Sequence, residues 1–424
     1  MYREKFVYAH NCSIVVGVDP VQNPFAPGAG TQPPELAGRD QILTSAGITL
    51  ERIKAGKPSR SLILVGLRGV GKTVLLNRIR EMADEKSYQS VLIEAHEEKS
   101  LPALLVPPLR KILLQLDRSA SISEKTKRGL RVLRSFMSRF QARIRMGDVG
   151  EIELGVTPEP GVGDTGDLEI DLAELFLALA EAALERHAFI CLLLDEIQYL
   201  SQSEMSALIM ALHQISQRGL PLVLVGAGLP LILGLAGKSK SYAERLFEFP
   251  SVGPLKEPEA RIALQSPVEA QSVTFTEDAL RRIIHQTHGY PYFLQQWGYE
   301  AWNIAGFSPI SEVNVREATS IAIQKLDESF FRVRFDRLTK REKEYLFAMV
   351  IVGGDQQRSG DIAEALGVKV QSVAPLRSSL IRKGMIYSPA HGDTAFTVPL
   401  FDDFLKRQQA KPAADPFNPK LPLF

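Results

Sequence analysis

A glycine-rich octapeptide between two regular elements limits the fold of this chain more than any other feature. Residues 66–73 read Gly-Leu-Arg-Gly-Val-Gly-Lys-Thr and fit the pattern G-x-x-x-x-G-K-[ST]. The run before them, residues 61–65, is rich in branched apolar side chains, as is typical of a buried parallel strand. Residues 74–85 continue at helical spacing. A strand, a glycine turn and a helix in this order predict a phosphate-binding loop in an α/β fold.

The residue types of this loop match the chemistry of a nucleoside triphosphate. Glycines let backbone N–H groups turn inward around phosphate oxygens, and the following helix directs its positive end at the same anion. We predict that Lys72 neutralises the β- and γ-phosphates and that the Thr73 hydroxyl binds Mg²⁺. The predicted nucleotide-binding residues of the loop are Gly66, Leu67, Arg68, Gly69, Val70, Gly71, Lys72, Thr73 and Val74.

Two adjacent carboxylates end a second apolar run. Residues 191–194 are apolar and are followed by Asp195 and Glu196. The carboxyl end of a parallel strand faces the ligand crevice. We therefore expect Asp195 to hold Mg²⁺ together with Thr73, and Glu196 to orient and deprotonate the attacking water. The predicted activity is hydrolysis of ATP to ADP and phosphate.

Length, charge and cysteine content limit the alternatives. Apolar runs at 90–94, 189–194 and 220–225 alternate with helical segments, which predicts a doubly wound parallel sheet. A chain of 424 residues exceeds one ordinary core. Fifty basic and forty-nine acidic residues leave no net field, so any contact with nucleic acid must come from a local patch. Two distant cysteines and no long apolar segment indicate a cytoplasmic protein without membrane contact.

A long interruption over about residues 119–167 separates the second strand from the third. Its first half places apolar side chains on one face of a basic helix; they are Leu130, Leu133, Met137, Phe140 and Ile144. Such a helix packs on the core by its stripe, with DNA or an acidic partner as the alternative. Residues 151–156 alternate like an exposed hairpin, and the turn-rich residues 158–167 predict a flexible loop.

The order of P-loop, Asp-Glu-Ile-Gln, helical region and C-terminal helices resembles the AAA+ ATPases of the origin-recognition type and their archaeal-type and STAND relatives, over residues 36–405. The resemblance implies that Gly38 and Arg39 border the adenine. It also implies that Arg245 is an arginine finger, which reaches the γ-phosphate of a neighbouring subunit in a nucleotide-dependent homo-oligomer. The alternative for Arg245 is a surface ion pair with Glu244 or Glu248.

The segment around residues 288–294 resembles the G-x-P motif of STAND-like ATPases. The resemblance implies that Gly289 and Pro291 sense the nucleotide, whereas a plain turn between helices is the alternative. One departure concerns residues 226–228, Gly-Ala-Gly, where many AAA+ proteins have a polar residue that aligns water. No substitute is visible in the sequence, so we expect slow hydrolysis, which suits a switch.

The last hundred residues predict a helix-turn-helix with a wing. Thr339 opens a helix to Met349, Ser359 is expected to cap a helix over 361–366, Gly367 ends that helix, and a third helix covers about 371–383. Residues 385–388 and 395–398 form the hairpin of a winged helix. The predicted DNA-binding residues are Lys369, Gln371, Ser372, Arg377, Ser378, Arg382 and Lys383. A winged helix used for protein contacts is the alternative.

These observations predict five segments. Residues 1–34 form a Pro/Gly-rich segment that wraps the first domain, and residues 35–253 form the P-loop ATPase domain. A helical lid covers 254–336, a winged-helix domain covers 337–408, and 409–424 form a tail. The predicted function is control of double-stranded DNA binding by ATP. The alternative is a STAND-like signalling switch that oligomerises on a protein partner.

Overall fold

The computed structural model describes residues 16–28, 30–116, 124–140, 157–159, 161–241, 243–390 and 392–410. The chain divides into two compact units. Of the described residues, those within 1–38 and 254–330 form one unit, and those within 39–253 and 331–410 form the other. The C-terminal residues therefore belong to the same unit as the P-loop. None of the helices in the described ranges is both long and apolar enough to cross a membrane.

The P-loop part of the larger unit is an α/β sandwich, as predicted. Its elements are α1 (Asp40–Lys54), β1 (Ser61–Val65), α2 (Lys72–Glu85), β2 (Tyr88–Glu94), α3 (Leu101–Leu116), α4 (Glu124–Phe140), α5 (Leu168–Glu185), β3 (Phe189–Asp195), α6 (Gln202–Gln217), β4 (Leu222–Gly228), α7 (Leu231–Ser239), α8 (Ala243–Leu246) and β5 (Phe247–Glu248). The five strands are parallel in the order β2-β3-β4-β1-β5. Because β4 lies between β1 and β3, its carboxyl end lies between the P-loop and Asp195.

The basic helix α4 packs on the core by its apolar stripe. Leu130, Leu133 and Met137 are buried in the main hydrophobic cluster. On the other face, Arg128 forms ion pairs with Glu159 and Glu181 at 3.4 and 3.3 Å. The first interpretation of this helix is therefore confirmed for the described residues, while Ile144 and the hairpin predicted at 151–156 lie outside them.

The smaller unit is helical, as expected, with α9 (Glu257–Glu269), α10 (Glu277–Thr287), α11 (Pro291–Ile304) and α12 (Glu312–Lys325). The N-terminal segment packs on α11. Phe25 is buried against Gly298, where an added Cβ would lie 2.7 Å from the Phe25 ring, and the Trp302 indole N–H donates to Asp19 O at 2.8 Å. The described part of this segment therefore docks on the helical unit, and its wrapping of the first domain stays a prediction.

The C-terminal module, residues 331–410, combines helices with a small antiparallel sheet. Its elements are α13 (Arg332–Asp336), α14 (Lys340–Val352), β6 (Gln357–Arg358), α15 (Ser359–Ala365), α16 (Val370–Arg382), β7 (Ile386–Tyr387), β8 (Asp393–Phe396) and α17 (Phe401–Ala410). The sheet has the order β6-β8-β7. The helices and the small sheet lie where the helix-turn-helix and its hairpin are expected, and the winged-helix assignment stays a prediction.

Local capping explains the start and end points of the module's helices. Thr339 and Glu342 form a capping box at the start of α14. Gly367 follows α15 with a φ of +64°. The expectation that Ser359 caps α15 is wrong, because β6 runs directly into the helix and Ser359 is its first residue. The Ser359 hydroxyl instead donates to Gly392 O at 3.0 Å.

Candidate nucleotide site

The P-loop joins β1 to α2 and depends on glycine at two positions for different reasons. Gly71 precedes α2 with a φ of +91°, a conformation that residues with a side chain rarely adopt. Gly66 lies so close to the chain after β5 that an added Cβ would be 2.1 Å from Val252 O. The backbone N–H groups at the start of α2 therefore form the anion-binding end of a helix.

Lys72 is a buried cation without a carboxylate partner. Its side chain is 7% exposed, and its Nζ donates to the Leu67 carbonyl at 2.9 Å. Within the described residues no carboxylate lies at ion-pair distance from this nitrogen. Burial lowers the pKa of Lys72 to about 8, against weaker attraction from Glu196 and Asp195. A phosphate would supply the anion that this buried position lacks.

Thr73 and Asp195 meet although they are far apart in sequence. The Thr73 hydroxyl donates to Asp195 Oδ2 at 2.6 Å, and the Glu196 N–H donates to Asp195 Oδ1 at 2.8 Å. Burial raises the pKa of Asp195. A hydroxyl and a carboxylate side by side are the hard oxygen donors that Mg²⁺ prefers, so the residues present fit this ion.

Glu196 follows the end of β3 in a left-handed conformation, with φ +52° and ψ +36°. Its carboxylate accepts a short hydrogen bond from the side-chain amide of Gln198. Arg68 Nη1 lies 3.8 Å from Glu196 Oε1, and Arg68 Nη2 donates to the Tyr199 hydroxyl at 3.1 Å. The predicted catalytic carboxylate is therefore held by one residue of the P-loop and one of its own turn.

The P-loop contacts the C-terminal module, which no sequence motif predicts. The Arg68 N–H donates to Thr397 O at 3.3 Å. Gly384 has a φ of +64°, and an added Cβ there would lie 2.6 Å from Arg68 Nη2. The Thr397 hydroxyl in turn donates to Gly384 O at 2.5 Å. One loop residue thus contacts both the predicted catalytic glutamate and the base of the C-terminal hairpin.

The residues predicted to border the adenine separate into two groups. Arg39 is buried, and its Nη2 donates to Val70 O at 3.1 Å and to Gly253 O at 2.7 Å, so it fixes the P-loop to the chain after β5. Gly38, Gly289 and Pro291 belong to the other unit. Gly289 has a φ of +69°, and Pro291 begins α11. Their contact with the base stays a prediction.

Arg245 lies on α8 and is exposed to a groove of about 820 Å³ beside α1. Glu248, one of its two expected surface partners, pairs with Arg60 at 2.6 Å. In the part of the chain that the structure describes, Arg245 forms no ion pair. Its guanidinium is thus free to meet a neighbouring subunit, and the finger role remains a prediction.

The candidate DNA-binding residues of α16 are of two kinds. Five are exposed: Lys369, Gln371, Ser372, Ser378 and Arg382. The other two, Arg377 and Lys383, form contacts with residues of the C-terminal module itself. Arg377 donates to Thr394 Oγ1 at 3.0 Å and to Asp393 O at 2.8 Å, and Lys383 Nζ lies 2.8 Å from Glu342 Oε2.

Two family models match parts of the chain. Residues 35–225 match the model described as "AAA ATPase domain". Residues 328–405 match "Domain of unknown function (DUF8462)". The chain has no match among curated proteins.

Several solved structures are similar in fold at low identity. The Walker-type ATPase PABY2304 of Pyrococcus abyssi is 16% identical, with a TM-score of 0.53 over 89% of this chain and 97% of that one. Cdc6p of Pyrobaculum aerophilum is 16% identical, with a TM-score of 0.48 over 93% and 99% of the two chains. The Orc1 protein of Aeropyrum pernix, solved in complex with DNA, is 16% identical, with a TM-score of 0.46 over 89% and 94%. The family match and the P-loop on a five-stranded parallel sheet together show that residues 35–225 form a P-loop domain of the AAA ATPase kind.

Proposed function

We propose that this chain binds ATP with Mg²⁺, hydrolyses it slowly to ADP and phosphate, and uses the nucleotide state to control binding of double-stranded DNA by its C-terminal module. The observation that carries this proposal is the contact of Arg68 with Thr397 and Gly384. It makes the P-loop and the C-terminal module direct neighbours, so a change in one reaches the other without an intermediate element.

The Arg68 contact competes with phosphate binding. A P-loop holds phosphate with inward-facing backbone N–H groups. The Arg68 N–H is one of the backbone donors of the loop, and it donates to Thr397 O. Entry of a triphosphate that draws this N–H inward weakens the hold on the module. The module is then released or reoriented when nucleotide binds.

The chemical roles follow from the geometry of the site. Lys72 meets the β- and γ-phosphates, and Thr73 with Asp195 would hold Mg²⁺, which neutralises developing charge. Glu196 orients the attacking water and accepts its proton. Arg245 stabilises the transition state from a neighbouring subunit. The last role requires assembly into a homo-oligomer in the presence of nucleotide.

The DNA-facing surface is the exposed side of α16. Lys369 and Arg382, near the two ends of this helix, are exposed and reach phosphates, while Gln371, Ser372 and Ser378 lie on the same helix within reach of base edges. With a formal net charge of only +1, affinity depends on this local patch rather than on the whole chain. The C-terminal module then acts as a winged helix.

A gel-shift experiment at moderate salt tests the coupling. Wild-type protein with ATP, wild-type protein with ADP and the Lys72→Ala variant are compared, and we expect at least one nucleotide state to differ in DNA affinity while Lys72→Ala loses the difference. Equal affinity in all three contradicts the proposal. Nucleotide-dependent assembly on size-exclusion chromatography without any DNA affinity selects the STAND-like switch instead.

A pair of glycine variants tests the route through Arg68. Gly384 and Gly367 share a φ of +64°, so alanine is equally strained at both, but only position 384 approaches Arg68, while position 367 is open. We expect Gly384→Ala to reduce the dependence of DNA affinity on nucleotide and Gly367→Ala to preserve it. If both variants behave alike, the contact does not carry the coupling.

A further inference from the structure

The end of β4 occupies a central place in the site but carries no functional side chain of its own. The strand ends at residues 226–228, Gly-Ala-Gly, between the strands that bear the P-loop and Asp195. The side chain of Gln198 reaches this place from the short helical turn Ile197–Tyr199, which follows Glu196. Its Oε1 accepts a hydrogen bond from the Leu229 N–H at 3.0 Å.

Glycine at position 228 makes room for this amide. An added Cβ at Gly228 would lie 2.8 Å from Gln198 Oε1. The backbone of Gly228 is in an ordinary conformation with no positive φ, so strain does not explain the glycine there. The same added Cβ would also lie 3.2 Å from Ile232 Cδ1, so the Gln198 and Ile232 side chains together leave little room for a side chain at position 228.

The hydrogen-bond partners fix the orientation of the amide. The Leu229 N–H can pair only with the oxygen of Gln198, which leaves Nε2 to face Glu196 Oε2 and donate to it. The reverse orientation places an oxygen against a carboxylate and an NH₂ group against an N–H. Gln198 therefore joins the end of β4 to the carboxylate that follows β3.

We propose that Gln198 is a positioning residue for ATP hydrolysis, which supplies at the end of β4 the polar group that the strand itself lacks and holds the Glu196 carboxylate for its reaction with water. This inference rests on the proposed ATPase function. The competing account is purely structural: the amide fastens the start of α7 to the turn after β3, with no effect on hydrolysis.

The variant Gln198→Glu separates the two accounts. A glutamate keeps an oxygen for the Leu229 N–H but cannot donate to Glu196. Steady-state hydrolysis and calorimetric ATP affinity are measured on the full chain, beside Gln198→Ala. Because misplacing a catalytic group by about 1 Å costs on the order of 100-fold, we expect kcat to fall about 10- to 100-fold in both variants. We expect the Kd for ATP to stay within about threefold, which corresponds to less than about 0.7 kcal/mol.

Gln202→Glu is the matched control. Gln202 is an exposed glutamine four residues further on, whose amide donates to Lys238 O at 3.4 Å, so the same change of charge there should leave kcat at the wild-type value. A kcat of Gln198→Glu that equals the control overturns the inference. If wild-type protein neither binds nor hydrolyses ATP, the proposed function itself fails, and the two failures are thereby distinguished.

A variant of Gly228, which lies next to the Gln198 amide, gives a second test. Gly228→Ala displaces the Gln198 side chain, so we expect it to lower kcat in wild-type protein and to have no further effect in Gln198→Ala protein. Independent effects of the two changes contradict the inference. The measurement does not depend on the stability of any single variant, because ATP affinity shows in each case that the site is folded.

Discussion

Lys72 in the P-loop and Lys383 after α16 are both lysines in partly or fully buried positions, but they differ in what neutralises them. Lys383 lies 2.8 Å from the carboxylate of Glu342, which is itself 3% exposed. Among the residues that the structure describes, Lys72 donates to a backbone carbonyl and has no carboxylate at ion-pair distance, and burial lowers its pKa. From this comparison we expect that Lys383, which has an internal anion, contributes to folding, whereas Lys72 takes its anion from a bound ligand and contributes to binding.

The largest expected effect is that of Lys72→Met. Loss of the phosphate-binding cation should lower ATP hydrolysis by at least about 100-fold. Removing a buried cation that lacks a carboxylate partner should leave the nucleotide-free protein as stable as wild type or more so. Hydrolysis and thermal unfolding are measured together. Lys54→Met is the control, since Lys54 also donates to a backbone carbonyl but is exposed.

The proposed difference between Lys72 and Lys383 is contradicted if Lys72→Met hydrolyses ATP at the wild-type rate. It is also contradicted if the nucleotide-free variant loses as much stability as a protein from which Lys383 has been removed.

Lys383→Met should have the opposite profile. It leaves the buried Glu342 carboxylate without its cation, and we expect a loss of about 1–3 kcal/mol in the free energy of unfolding. Adding Glu342→Gln should recover part of that loss, because the unpaired charge is then gone. Urea denaturation of the full chain measures both. Lys340→Met, an exposed lysine on the same helix as Glu342, should change little, and an equal loss there argues against the pair.

The ion pair of Lys383 and Glu342 also predicts that the stability of the protein depends on pH. Burial alone would raise the pKa of Glu342, but hydrogen bonds from Lys383, Thr339 and Ser379 lower it from 4.5 to about 2. A carboxyl whose pKa is lower in the folded chain stabilises the protein above the unfolded value and loses that contribution as pH falls through the folded one. The stability difference between wild type and Glu342→Gln should therefore shrink as pH falls from 4.5 to about 2. A difference that is constant over this range contradicts the assignment.

Two arginines of α16, Arg382 and Arg377, should differ in their effects on DNA binding and on stability. Arg382 is exposed, so Arg382→Ala should weaken DNA binding, reduce the slope against log salt by about 1, and change the free energy of unfolding by less than about 0.5 kcal/mol. Arg377→Ala should instead destabilise the module, because Thr394 and the Asp393 carbonyl lose their donor. Similar effects of the two variants on both measurements would show that the exposed face of α16 is not the DNA-binding surface.

The P-loop site could be predicted from the sequence because its constraints are local or set by topology. Residues 66–73 are contiguous, and the turn at Gly71 needs a conformation that only glycine adopts easily. Thr73 and Asp195 are 122 residues apart, yet their contact follows from the rule that parallel strands end at one edge of the sheet.

The contacts of the C-terminal module could not be predicted in this way. The spacing of basic residues on α16 shows that Lys383 is on the helix, but not that Glu342, 41 residues earlier, packs beside it. The docking of Phe25 on α11 and the reach of Gln198 to Leu229 depend likewise on tertiary packing between distant segments. In the sequence, the feature that points to Gln198 is its position two residues after Glu196. Residue periodicity does not show whether a side chain at that position contacts the carboxylate.

The central claim is that Lys72 binds an anion supplied by the nucleotide. The most direct test is calorimetry, in which ATP and Mg²⁺ are titrated into nucleotide-stripped protein. We predict saturable heat for one nucleotide per chain in wild-type protein and none in Lys72→Met. Absence of heat in the wild type, or equal heat in both proteins, would contradict the claim.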